Sequence, residues 1–399
     1  MSAPEAIATA PLWRREPGRF LFPLGVLLSW AGVGPWFLLG AFDVGIHRGV
    51  FHSMAQIQGF MMCFVAGFLF TALPRRTQSL PPAAWEMTVA LVAPVGLTVA
   101  AWFKLLVVAQ ACWGVMVLML LAFACRRLFG SSAGRRAPNC FVWIPASFTI
   151  AIAGAALIGV QRGLGVDWFW IHELGKMLIL QGMLLGLVIG VGGLVFPLIT
   201  HGDPPGDGAP SGRDAWLRAG HLLAAALLVG TFALEVNVSA RLGLGLRAAL
   251  VGALLIGVGR IWRVPKVPGW HRWLAWGSAW VIPLGYAVAA FDPARKQAGL
   301  HMVFVGGLGL LVLAVGAHVV LAHAGYQRTV RARNWEAPAL GLLILVTVVA
   351  RSLMILRPEY RQESMAVAAA AFLGATLVWL IFVMRRLLTT PGPDEAPAP

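Results

Sequence analysis

The sequence predicts an all-α integral membrane protein, a polytopic bundle of about twelve transmembrane helices with both termini cytoplasmic. Three observations predict it. The 399-residue chain is 59% hydrophobic and 12% charged, whereas a soluble domain carries about 25% charged residues. Apolar runs of about 20 residues, enough to cross roughly 30 Å of hydrocarbon as a helix, recur from end to end. The basic residues then collect in alternate connections, the bias that orients membrane proteins with Lys and Arg inside.

Taken in order, the first span, 20–41, follows Arg14, Arg15 and Arg19 and shows no small-residue cleavage site, so it reads as a retained helix. The second, 52–73, stops at Pro74, Arg75 and Arg76. Spans 84–102 and 104–124 lead to Arg126, Arg127, Arg135 and Arg136. Spans 141–160 and 173–198 precede THGDPPGDGAPSGRDA (200–215), the longest connection, with the glycines and prolines of a solvated loop. Spans 215–235 and 246–262 lie between Arg213/Arg218 and Arg263/Lys266. Spans 270–291 and 298–322 precede Arg328, Arg331 and Arg333, and spans 336–356 and 363–385 end at Arg385 and Arg386. Residues 1–19 and 387–399, rich in Pro and Ala, read as disordered cytoplasmic tails. This leaves 20–386 as one twelve-helix membrane domain, with no repeat evident between its halves.

The net charge of +15 and a pI near 11.2 would suggest nucleic acid in a soluble protein. Here the charge sits in short loops between spans, where it fixes topology and meets anionic lipid, so no nucleic-acid partner is expected. The four cysteines form neither CxxC nor CxxCH, which argues against structural disulfides and covalent c-type haem.

Ionisable groups within spans are costly in lipid and are functional candidates by default. On span two, His52, Gln56, Gly59 and Cys63 share a helical face, with His52 at the external mouth. Span ten opens at His301, carries His318 in its cytoplasmic half and closes at His323. His301 and His323 are about 33 Å apart along the axis, so one metal cannot take both. His52 and His301 match in depth. Histidines on separate helices at one depth are what noncovalent b-type haem requires, because neutral imidazole supplies its axial ligands. Gln56, Arg351 and the i, i+4 pair His172 and Lys176 are candidate pocket residues, although with Glu173 the pair also reads as an interfacial ion-pair cluster. Met54, Cys63 and His318 are the candidate copper donors, thioethers suiting Cu(I); Cys63 reads more simply as a small buried residue. Gly182, Gly186 and Gly190, at four-residue spacing, imply close helix packing, or smooth walls beside a planar cofactor. Spacing alone leaves haem binding, transport and a structural role open.

Three blocks carry a resemblance. FHSMAQIQGFMMCFVAGFLFTALPRRTQ (51–78) is similar to the NnrS family's second-helix signature, W-H-x-H-E-M-L-F-G-F followed by A-G-F-L-L-T-A-x-P. VGGLVFPLIT (191–200) resembles G-G-R-x-x-P-x-F-T, and HMVFVGGLGLLVLAVGAHVVLAHAG (301–325) resembles H-A-L-T-x-G-A-x-G continuing to R-V-x-L-G-H-T-G. His52, His301 and His323 match histidines of these motifs. The resemblance implies a bacterial inner-membrane protein of about twelve helices, associated with haem, copper and the nitric oxide response. It implies haem b at His52, His301 and His323. The departures bear on copper: Met54 and Ala55 replace the second His and the Glu of H-x-H-E, Leu194 replaces the Arg of G-G-R, and His318 replaces an Arg.

The expected function is thus a haem-binding, and copper-associated, multi-pass protein of the bacterial cytoplasmic membrane that binds or responds to nitric oxide and relieves nitrosative stress. Its partners are the lipid bilayer and a small neutral ligand. No flavin, c-haem or Fe–S motif supplies electrons for turnover. The alternative is a secondary transporter without a redox cofactor, in which GVGPWF (32–37) would be a broken helix at the substrate site.

Overall fold

The computed structural model describes residues 9–45, 48–129, 137–163, 165, 168–203 and 211–389. His47, Arg135, Arg136, residues 204–210 of the long loop and the outer parts of both tails, 1–8 and 390–399, lie outside the described residues. Among the described residues there is no strand, and twelve helices are long and apolar enough to cross a membrane. They are Gly18–Phe42, Gly49–Thr77, Ala84–Trp102, Leu106–Phe129, Asn139–Gln161, Phe169–His201, Arg213–Asn237, Ala240–Gly257, Trp270–Phe291, Pro293–His323, Glu336–Leu356 and Pro358–Leu387, here spans one to twelve. An even number of crossings returns the chain to the face it started from. That face also carries Arg14, Arg75, Arg126, Arg263 and Arg386, and is called the basic face below.

Eleven spans lie close to where hydropathy put them. Span eight starts six residues earlier than its apolar run, at Ala240, because Ser239 caps it by accepting the Leu242 amide at 3.3 Å. Exposed tryptophans gather at the span ends, with Trp85, Trp216, Trp262, Trp270 and Trp335 on the basic face and Trp102, Trp168 and Trp170 on the opposite one. Such belts place amphipathic rings at the two headgroup levels.

Spans two, six and ten are interior. Their apolar windows are 83%, 83% and 72% buried, against 22–50% for the other nine. The same three spans each contain a stretch of wide, π-helical turns, at Met54–Met61, Leu178–Gly182 and Met302–Gly309. In such turns the hydrogen bonds run i to i+5, and they concentrate at functional sites.

The packing order explains why these three are inside. Spans one to four, five to eight and nine to twelve form three units of like arrangement. In each, the first span packs on the second and the third on the fourth, and the fourth packs on the first span of the next unit; span twelve closes the ring on span one. The repeat is therefore by thirds, which a comparison of halves does not reveal. Close backbone contacts recur with it. A methyl group on Gly154 would stand 2.6 Å from the Gly175 carbonyl where spans five and six cross, and one on Gly285 would stand 2.7 Å from the Gly299 carbonyl where spans nine and ten cross.

The glycine ladder of span six has the packing role. Gly182 faces Ile150, Gly186 faces Ser147, and a methyl group on Gly190 would stand 2.6 Å from Trp143 Cβ, all on span five. We expect Gly190→Ala to cost about 1–3 kcal/mol, the usual penalty for overfilling a packed contact. Unfolding of the purified variant in a micelle, against wild type, measures it; unchanged stability would mean spans five and six are free to separate.

Candidate functional site

The site is built from span two upward. His52 lies two residues before the wide turns of that span, at the face opposite the basic one, and is partly buried. Its Nδ1 is 3.0 Å from the Gly32 carbonyl oxygen on span one, and its ring stands edge-on to Trp36 at 5.7 Å. One turn deeper, the Gln56 amide donates to the Ser29 carbonyl at 2.8 Å. These carbonyls belong to a helix and retain a second lone pair for a side chain. Gly32 is glycine for a local reason: a methyl group there would stand 2.9 Å from Ala55 Cβ and displace Gln56. Cys63 lies on the same face against Gly25, and Gly59 sits between Leu28 and Thr98. The polar face expected of span two therefore looks at span one. Gln58 points away from it and exchanges two hydrogen bonds, of 3.2 and 3.0 Å, with Gln110 of span four.

Span ten supplies the second histidine. His301 Nδ1 is 2.7 Å from its own-helix carbonyl at Gln297, and its Nε2 is 2.8 Å from Arg351 Nη2 on span eleven. Arginine only donates, so Nε2 accepts and the ring proton sits on Nδ1, where it reaches the carbonyl. The same logic sets His52, since a carbonyl only accepts. His323, with Nδ1 2.7 Å from the Val319 carbonyl, is the third case. All three rings thus carry the proton on Nδ1 and present Nε2 as the basic nitrogen. A backbone carbonyl on one nitrogen is the usual way proteins fix a histidine that offers the other to a metal. His52, His301 and Arg351 lie within electrostatic reach of one another. Arg351 also donates to Met354 Sδ at 2.8 Å.

His323 stands apart, exposed at the basic face, in reach of Arg75, Glu16 and Arg19. His318 faces His271 of span nine, with Nδ1 and Nε2 3.0 Å apart; nothing in the sequence marked His271 as its partner. The copper candidates do not converge. Met54 and Cys63 are nine residues apart on one helix, about 13 Å along its axis, and His318 is held by another histidine. Among the described residues no group of three His, Cys, Asp or Glu side chains is placed to hold a metal.

Lys176 donates to Glu173 at 2.5 Å, an ion pair internal to span six. Glu235 is taken by Arg247 of span eight at 2.8 Å and Lys296 at 2.7 Å. Arg247 is wholly buried, and it also donates to Thr231 and lies over the Phe232 ring at 3.6 Å. Tyr286 donates to Gln181, at the wide turn of span six, beside this pair. In the sequence Glu235 closes the apolar run 215–235 and so looks like a helix-end charge; the span in fact ends two residues later, at Asn237. GVGPWF is likewise no broken helix: span one runs unbroken through Pro23 and Pro35.

A family model described as NnrS protein matches residues 12–390. No curated protein matches the chain.

Proposed function

The chain belongs to the NnrS family, and from that premise we propose that it is a haem-binding membrane protein acting in the nitric oxide response. In this reading His52 and His301 offer Nε2 to one haem iron, and the family's cytoplasmic-membrane location holds, with the basic face cytoplasmic. The observation that carries it is the pair of carbonyl-anchored imidazoles on two of the interior spans, at the same end of the bundle, with Arg351 bonded to His301 and within electrostatic reach of His52. When bound, haem would supply a metal centre for a small neutral ligand such as nitric oxide. The protein's own residues do the rest. The Gly32 and Gln297 carbonyls fix each imidazole's tautomer and orientation, Trp36 limits rotation of the His52 ring, and Arg351 offers a cation to an anionic group of the cofactor. Arg351 bonds His301 Nε2, so cofactor entry requires that guanidinium to swing away. Gln56 lines the span-one side of His52. His172 and Lys176 are proposed only as interfacial neighbours.

His323 belongs to a separate site at the basic face, because its distance along span ten excludes the same iron. Met54, Cys63 and His318 do not form a donor set for copper, and no step runs through one. The transporter reading loses its broken helix and gains no repeat between halves, since the units repeat by thirds.

The visible spectrum of detergent-purified protein, oxidised, then dithionite-reduced, then with nitric oxide, tests the proposal. A Soret band with reduced α and β bands that shift on adding the gas is expected, and a colourless protein overturns it. We expect His323→Ala to lower the haem-to-protein ratio without moving the bands of the His52–His301 haem. Complete loss of the spectrum in that variant would refute two separate sites.

A further inference from the structure

A partly open cavity lies in the bundle, lined by one face of each interior span and by Phe22 of span one. Span two contributes Met61, Phe64, Val65 and Phe68, span six Leu184, Leu187, Val188 and Val191, and span ten Leu308, Leu311, Val312 and Val315. On each span these positions recur at three- and four-residue spacing, so each presents an unbroken apolar stripe. The space amounts to about 100 Å³. No histidine, carboxylate, amide or hydroxyl is among its lining residues. It begins nine residues beyond His52 on span two and seven beyond His301 on span ten, about 10–14 Å deeper by helical rise.

Water needs two to four polar partners to occupy a buried space, and apolar cavities without them stay dry and take apolar guests. An engineered apolar cavity of about 150 Å³ admits benzene or xenon. A space of two thirds that size suits a smaller apolar guest. The chamber begins where the wide turns of the three interior spans end, and its lining lies almost wholly on the regular helix that follows them. Ordinary protein interiors leave few voids larger than a water molecule.

We propose that this chamber, on the axis between spans two, six and ten, is a binding site for small, neutral, apolar molecules of the size of a diatomic gas. Such molecules dissolve in hydrocarbon, so the bilayer delivers them to the bundle without an aqueous path. The chamber lies on the same two helices as His52 and His301, one level deeper, and holds the guest within reach of that end of the bundle. The proposal does not depend on haem, because neither the lining nor the volume involves a histidine.

Xenon is the probe. Crystals of the detergent-purified protein pressurised with xenon are expected to show an anomalous peak in contact with Phe64, Val188 and Val312. Val188→Phe, which fills the space, is expected to abolish that peak while leaving surface xenon sites at wild-type occupancy; Val188→Leu is the milder variant and lowers the occupancy if the larger ring prevents folding. No peak in wild type at a pressure that loads other sites overturns the proposal. So does ordered water, or an acyl or detergent chain filling the chamber. A xenon peak in a protein that carries no haem would keep the chamber and remove the haem reading, so the two fail separately.

Discussion

His52→Ala and His301→Ala are each expected to weaken binding of the haem they share at least tenfold, while the separate His323 site stays loaded. Noncovalent haem in a membrane bundle is held by its axial bonds and by apolar contact, and only the axial bonds demand particular residues. The two histidines are on different spans, two and ten, and each is pinned through Nδ1 to a backbone carbonyl, at 3.0 Å for His52 and 2.7 Å for His301. That anchoring fixes each ring in a single tautomer before any ligand arrives, and the loss is not recovered by a neighbouring side chain. Gln56 is the nearest polar group on the same face, and it is already committed to Ser29. A tenfold loss corresponds to about 1.4 kcal/mol of binding free energy. A larger fall is expected if the remaining imidazole cannot hold the iron alone. Haem content by pyridine haemochrome, against protein by absorbance, is the measurement. Full haem in both variants would end the shared-iron reading, and loss in one alone would mean that the iron has a different second ligand.

The fold class was legible because hydropathy answers one question well, whether a helix crosses a bilayer. It does not say which spans are interior, because lipid tails are as apolar as leucine. Spans eleven and twelve have the highest mean hydropathy, 2.4, with 22% and 44% of their windows buried, while span two, at 1.7, is 83% buried. Polar residues were the better guide to the interior. His52, Gln56 and Gln58 on span two all found partners on neighbouring helices, the first two on span one and Gln58 on span four. The wide turns were not legible, since no residue type encodes them, and with them went the three-unit repeat. What recurs between the units is backbone geometry and close glycine contacts, while the side chains differ. The inner span of the first unit meets its fourth span through Gln58 and Gln110, and that of the second through Gln181 and Arg247. His318 was visible as a candidate ligand but His271 was not its evident partner, because a residue at the basic end of span nine reads as interfacial until the packing angle is known.

The same blindness hid the buried charges, and there the second large effect is expected: Glu235→Leu should destabilise the protein by about 3–5 kcal/mol, the range for breaking a buried ion pair by removing one partner. Arg247 has no exposed surface and Glu235 is 7% exposed, so neither meets water or headgroups. Arg247 keeps its hydrogen bonds to Thr231 and its place over the Phe232 ring when Glu235 is lost. Those groups are neutral and cannot balance a full charge in apolar surroundings. Arg247→Met should cost less, because Glu235 then retains Lys296 at 2.7 Å, whose side chain is 30% exposed and can draw toward the interface. The ranking is therefore asymmetric, with the acid the worse loss. Glu235→Leu combined with Arg247→Met removes both buried charges and should recover most of the stability, since well-packed apolar replacements of a buried pair are often neutral or better. Unfolding of the three variants in one detergent, followed by helix content, orders them. Glu235→Leu as stable as wild type, or a double variant worse than either single one, would mean that the pair is solvated in the membrane and that span eight is less deeply packed than its buried arginine implies.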